Sequence, residues 1–143
     1  MSQEIWWTAP TESENGKLIM VTGRKDVDKF RNNPKFNIRI EVTWKYGPTD
    51  DGMPDKPTSE EMERVQDALA DALVKNKVAV LTGIYTGDGE RNWIFYSFST
   101  NLFGRRLNDA LAEFPLLPLT IYCENDAAWA EYDEMSQVEI NVD

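Results

Sequence analysis

The chain has 143 residues, 41% hydrophobic and 11% aromatic, and its 25 acids against 15 bases give a formal charge of −10. That is one domain's length, enough to bury about 68% of the surface the unfolded chain exposes, and too rich in rings for a disordered regulator. The charge argues against direct nucleic-acid binding, which rests on Lys and Arg displacing counterions, and no apolar run or basic leader marks a membrane span or export signal.

The first third opens with "IWW", turns at "SENGK" and enters a strand at "KLIMVTGR". After "RNNP", the run "FNIRIEVTWKY" alternates with a period of two. Phe36, Ile38, Ile40, Val42 and Trp44 point one way and Asn37, Arg39, Glu41, Thr43 and Lys45 the other, which predicts a half-buried strand. The Gly-, Pro- and Asp-rich "GPTDDGMPDKP" reads as a loop. Thr58 then opens a helix, with Glu61 completing a capping box and Met62, Val65, Leu69, Ala72 and Leu73 as its apolar stripe. The helix is expected to end near Asn76. "KVAVLTGIYT" and "NWIFYSFS" are two further strands, joined by a tight turn at "GDGER".

Thr100 or Asn101 is the expected cap of a second helix, with the stripe Leu102, Phe103, Leu107, Ala110, Leu111 and Phe114, stopped by Pro115. "LPLTIYCE" alternates as another strand. "CENDAAWAEYDEM" makes a short helix after it, and "QVEINV" is read as a last edge strand. From Phe36 to Glu124 the order is β-α-β-β-α-β. Right-handed crossovers put both helices on one face of a four-stranded antiparallel sheet, which predicts an α+β, ferredoxin-like two-layer sandwich. The whole chain, 1–143, is expected to be a single domain, with an N-terminal extension (1–35), the core (36–125) and a C-terminal helix and tail (126–143). The N-terminal segment is expected to extend the sheet or to cover its open face, burying Tyr85, Tyr96 and Tyr122 beneath "IWW".

The residue inventory removes most chemistry. There is no histidine, so no Ser-His-Asp or Cys-His catalysis and no histidine-held zinc. The lone Cys123 allows no internal disulfide and is expected to pack as a small apolar group beside Leu119 and Ile121. "DDGMPD" fails the alternate-ligand spacing of a calcium loop, since Gly52 and Pro54 fall at ligand positions. "TGDGE" lacks the Lys-Ser/Thr and following helix of a phosphate loop. No metal and no cofactor is expected. The acids after Cys123 raise the question of paired-carboxylate catalysis. The simpler reading makes Asp126 a helix N-cap for the turn containing Ala128 and Trp129, with Trp129 and Tyr132 packing that turn on the sheet edge.

Three stretches, "VTWKYGPTDDGMPDKPTSEEMERVQDAL", "GIYTGDGERNWIFYSFS" and "YCENDAAWAEY", resemble the bacterial domain-of-unknown-function six-nine-five family, related to the regulator of ribonuclease E activity B. The resemblance runs from about Trp6 to Tyr132. It rests on Trp44, Gly52-Met53-Pro54, Thr86 with Gly89, Tyr96, and the spacing of Asp126, Trp129 and Tyr132; Ala127 stands where the family usually has proline. It implies a ferredoxin-like, acidic, non-enzymatic protein that binds another protein and restrains it. It implies no catalytic residues.

Taken together, the sequence points to a cytoplasmic binding or regulatory protein that meets a protein partner through an acidic surface, with binding favoured over catalysis. The alternative is a small-molecule binder or carboxylate-dependent enzyme with an aromatic-lined pocket. Trp44, Tyr96, Asp126, Trp129 and Tyr132 are the candidate binding or structural residues. No nucleic acid or membrane partner is expected, and self-association through "QVEINV" or "IWW" is a further possibility.

Overall fold

The computed structural model describes residues 4–47 and 49–140. Its elements in chain order are β1 (Trp6–Glu12), β2 (Leu18–Arg24), α1 (Asp28–Arg31), β3 (Ile38–Lys45), α2 (Lys56–Leu69), β4 (Ala79–Gly87), β5 (Glu90–Ser97), α3 (Thr100–Ala110), β6 (Leu119–Asn125) and α4 (Ala130–Ile140). This is a mixed α+β fold with one antiparallel sheet of six strands in the order β1-β2-β4-β5-β3-β6. The N-terminal segment thus extends the sheet by two strands beyond the four expected of the core. The opening segment does not lie over a face: β1 and β2 form a hairpin that adds edgewise to β4.

Period-two alternation in the central strands sends side chains to two cores. On one face, Ile40, Val42 and Trp44 of β3 and Trp93 and Phe95 of β5 meet Met62, Val65 and Leu69 of α2, then Leu73, and Phe103 and Leu107 of α3. On the other face, Val80, Ile94 and Tyr96 meet Val27, Phe36 and Trp129, and farther along Val21 and Ala9 meet Trp7 and Met135. Helices therefore cover both faces, α2 and α3 on one and α1 and α4 on the other. Phe36 precedes the regular strand and turns into the second core, away from the Ile40 face assigned to it by simple alternation.

Helix starts are set by acceptors that reach the free backbone N–H groups of the first turn. The Asp55 carboxylate takes the Thr58 N–H at 2.9 Å and Pro57 sits in the first turn, so α2 begins before Thr58. Ser99, not Thr100 or Asn101, caps α3 by accepting from the Leu102 N–H at 3.1 Å. The C-terminal end of α2 widens to i→i+5 hydrogen bonding over Ala70–Val74, and the Asn76 amide closes it on the carbonyls of Asp71 and Ala72. Asp88 and Gly89, both at positive φ, make the two-residue turn between β4 and β5.

Two expectations at the C-terminal end fail. Residues 137–140 of "QVEINV" continue α4 instead of forming a strand, because Tyr132, Met135 and Val138 recur at helical spacing and pack against Trp7, Ala9 and Val21; 141–143 lie outside the described residues. Met135 reaches the sheet because Gly83 leaves room: a Cβ there would sit 2.4 Å from the Met135 sulfur. Cys123 is exposed on the edge strand β6 and does not pack in a core.

Candidate functional site

The segment after β6 is built around Trp129. Its ring is fully buried, stacks on Tyr96 at 4.0 Å between centroids with 16° between planes, and meets Tyr132 edge-on at 5.6 Å. Its indole N–H donates to the Phe36 carbonyl at 2.8 Å. Trp129 itself has φ +56, a left-handed conformation that a bulky residue adopts at a cost. The helix therefore starts at Ala130, one residue beyond it. The Asp126 carboxylate accepts from the backbone N–H groups of Ala130 at 2.9 Å and Glu131 at 3.1 Å, and from the Tyr96 hydroxyl at 2.7 Å. It serves the N–H groups after Trp129, where the sequence suggested those of Ala128 and Trp129. Trp129 covers the central strand β5, not the sheet edge.

Electrostatics follow that geometry. Burial pushes the Asp126 carboxyl up, but the hydrogen bonds from Tyr96, Glu131 and Ala130 outweigh it and hold the group below the usual carboxylate range. Burial, reinforced by the bond to Asp126, raises the Tyr96 phenol strongly. Tyr132 donates from its hydroxyl to the Arg24 carbonyl, and the Arg31 guanidinium of α1 grips Asp133 with two bonds of 2.6 Å and the Ala128 carbonyl with one of 3.2 Å. Every polar group named here is used to fasten α4 and α1 to the sheet.

Of the five residues singled out in the sequence, four come together: Tyr96, Asp126, Trp129 and Tyr132. Trp44 lies on the opposite face, 6.3 Å from the Trp93 ring in the α2–α3 core. Among Tyr85, Tyr96 and Tyr122, Tyr96 is buried by Trp129 and not by "IWW", Tyr85 is half-buried with its phenol pushed up to about 12 by burial, and Tyr122 is open to solvent. Among the described residues, no cluster of three or more Cys, Asp and Glu groups is arranged to hold a metal ion. No helix among them is long and apolar enough to cross a membrane.

Sequence reasoning missed a cleft on the α2 face. Where the sheet extends past α2, the hairpin strand β2 and the loop over 49–55 border an open cleft of about 490 Å³. Arg91 of β5 is a buried residue of its lining. Its side chain is 10% exposed, its Nε donates to the Thr86 hydroxyl at 2.9 Å, and its Nη1 lies 3.3 Å from a Glu63 carboxylate oxygen of α2. Met20, Met53, Pro54 and Ile84 supply apolar wall, and Thr22, Ser59 and Gln66 polar rim. The loop is pinned to the β4–β5 turn through the Gly52 carbonyl, which accepts from the Tyr46 hydroxyl at 2.8 Å and the Gly89 N–H at 3.0 Å. Gly52 has φ +85, and a Cβ on it would meet the Asp88 backbone N at 3.0 Å, so the pinning needs glycine. One signal in the sequence pointed here: in "ERNWIFYS", Arg91 shares a face with Trp93 and Phe95, and a charge on a core face needs partners.

A second surface lies at the sheet edge. β6 pairs with β3 on one side and, among the described residues, has no strand beside it on the other. Residues 114–123, "FPLLPLTIYC", carry no charge. Leu107, Leu111, Phe114, Leu117 and Leu119 line a groove next to this edge, while Leu116 is wholly exposed and Ile121 nearly half so.

A family model described as "Family of unknown function (DUF695)" matches residues 6–135, and the chain belongs to that family. No curated protein and no solved structure matches it.

Proposed function

With membership of this family as the premise, we propose that the chain is a non-enzymatic binding or regulatory protein of the cytoplasm that acts on a protein partner. The observation that carries the reading is the open β6 edge beside its apolar groove. An unpaired edge offers a row of backbone donors and acceptors to an extended segment of another protein, and the groove offers apolar contact to its side chains. The chain as a whole is acidic, at −10, with Glu60, Glu63 and Asp67 exposed on α2 and Glu131 and Glu134 on α4. Such a field speeds encounter with a basic partner and repels nucleic acid.

The finer fold reading belongs to the same proposal. The order β6-β3-β5-β4, with α2 and α3 on one face, supports treating β3 to β6 as a ferredoxin-like unit to which β1, β2 and α4 are added. A relationship to the regulator of ribonuclease E activity B would fit that unit and the acidic charge. The alternative, an enzyme or small-molecule binder with an aromatic pocket at Asp126, draws no support from a motif whose Trp129 is fully buried.

Affinity capture from native extract tests the proposal, using the full chain and an Ile121→Lys variant at low and at high salt. A partner retained at low salt, released at high salt and lost with the variant is the expected result. Capture of no protein at either salt, or capture indifferent to the variant, would contradict it.

A further inference from the structure

We propose that the Arg91 cleft is a binding site for a free α-amino acid with an apolar side chain. This cleft is separate from the β6 edge, and its charges define the ligand. The cleft contains one cation and one anion, the Arg91 guanidinium and the Glu63 carboxylate, 3.3 Å apart. A ligand with carboxylate and ammonium on one carbon presents the complementary pair at a similar spacing. Its carboxylate meets the guanidinium, its ammonium meets Glu63, and the four charges close into a ring with no net addition of charge. Phosphate esters fit poorly, because Glu63 opposes a dianion beside a single arginine. A bare cation fits poorly too, because the Arg91 guanidinium already lies 3.3 Å from Glu63 and would repel it.

Preorganisation supports the same reading. The Arg91 side chain is nine-tenths buried, and its Nε is anchored on Thr86, so the remaining guanidinium N–H groups are held in a fixed direction before any ligand arrives. An arginine fixed in this way recognises a carboxylate with two parallel bonds, at little further loss of side-chain freedom. Glu63, by contrast, has a side chain that is 58% exposed and can swing to follow an ammonium group. The walls choose the side chain. Met20 and Met53, both flexible and polarizable, and Ile84 form an apolar lining that adapts to a linear or singly branched aliphatic chain. The cleft is open on one side, and its volume of about 490 Å³ is toward the smaller end of ligand pockets.

The test is calorimetric titration of the full chain, with thermal unfolding alongside, using L-methionine and L-leucine as probes. Saturable binding and a raised melting temperature are expected for at least one of them. N-acetyl-L-methionine, which lacks the ammonium, and L-methioninamide, which lacks the carboxylate, should each bind at least about tenfold more weakly than L-methionine, or not at all if L-leucine is the one that binds. Arg91→Lys should abolish binding. Because that variant disturbs a buried group, Glu63→Gln is the companion: its exposed position preserves the fold, checked by circular dichroism, and binding should still fall at least about tenfold. No response to either probe at about 10 mM, equal binding of the capped derivatives, or full binding by folded Glu63→Gln would overturn the proposal.

Discussion

Asp126 and Arg91 are ionised groups on opposite faces of one sheet, each held by a hydroxyl from a neighbouring strand or segment. Around Asp126, both carboxylate oxygens accept from donors of the protein: the Tyr96 hydroxyl and the Ala130 and Glu131 amides. Trp129 then seals the space with a stacked ring. Around Arg91, the Thr86 hydroxyl fixes one edge of the guanidinium, but the other side opens on a cleft with a mobile-armed carboxylate at its lip. Charge density in a sequence therefore says little about chemistry. What matters is whether the fold consumes the hydrogen-bonding capacity of the group or leaves part of it directed at space a ligand can fill.

The sealed side can be broken most severely by Trp129→Ala, which removes the stacked ring and an indole hydrogen bond together. A loss of about 3–5 kcal/mol is expected from urea unfolding, with α4 losing amide-exchange protection before the central strands. Asp26→Asn comes next. The hydrogen bond from Arg24 holds the Asp26 carboxyl at about 2, below its ordinary 3.8. A depressed carboxyl stabilises the fold fully above its unfolded value, and this contribution is lost as pH falls from about 4 toward 2. At neutral pH the variant should lose about 1–2 kcal/mol, and its stability should change less than the parent's across that acid window. Tyr132→Phe keeps the ring against Trp129 and removes only the bond to the Arg24 carbonyl, for an expected loss of about 1 kcal/mol in the same assay. Cys123→Ser, on the exposed edge, should shift stability by less than about 0.5 kcal/mol. A larger shift would mean that β6 is covered in solution.

Much of the fold was legible because its signals are local. Alternation in "FNIRIEVTWKY" and the stripe from Met62 to Leu73 report burial on their own strand or helix, and β3 and α2 appear where those patterns lie. Strand neighbours are another matter. Nothing within "KLIMVTGR" states that β2 pairs with β4, since the pairing is decided by Val21 and Met20 matching Tyr85 and Thr86 far along the chain. Caps were misplaced by a few residues because Asp55, Thr58, Ser99 and Thr100 are all competent acceptors, and backbone direction selects among them. The site was half legible. The spacing of Asp126, Trp129 and Tyr132 marked a helix start but set it on Ala128 and Trp129 instead of Ala130 and Glu131, and Tyr96, which completes it, lies thirty residues earlier in β5. Trp44 looked equivalent to Trp129 by residue type and lies in the other core.

Asp126 is spent on structure, fastening the start of α4 to Tyr96. Groups held ready for catalysis or ligand binding are commonly a burden on stability, and replacing them stabilises the fold. Urea unfolding of Asp126→Asn at neutral pH separates the two cases by sign. A loss of about 1–2 kcal/mol that shrinks as the solution is made acidic is the result this geometry predicts. Unchanged or increased stability would contradict it and mark the Asp126 carboxylate as one the fold keeps for something other than holding α4 in place.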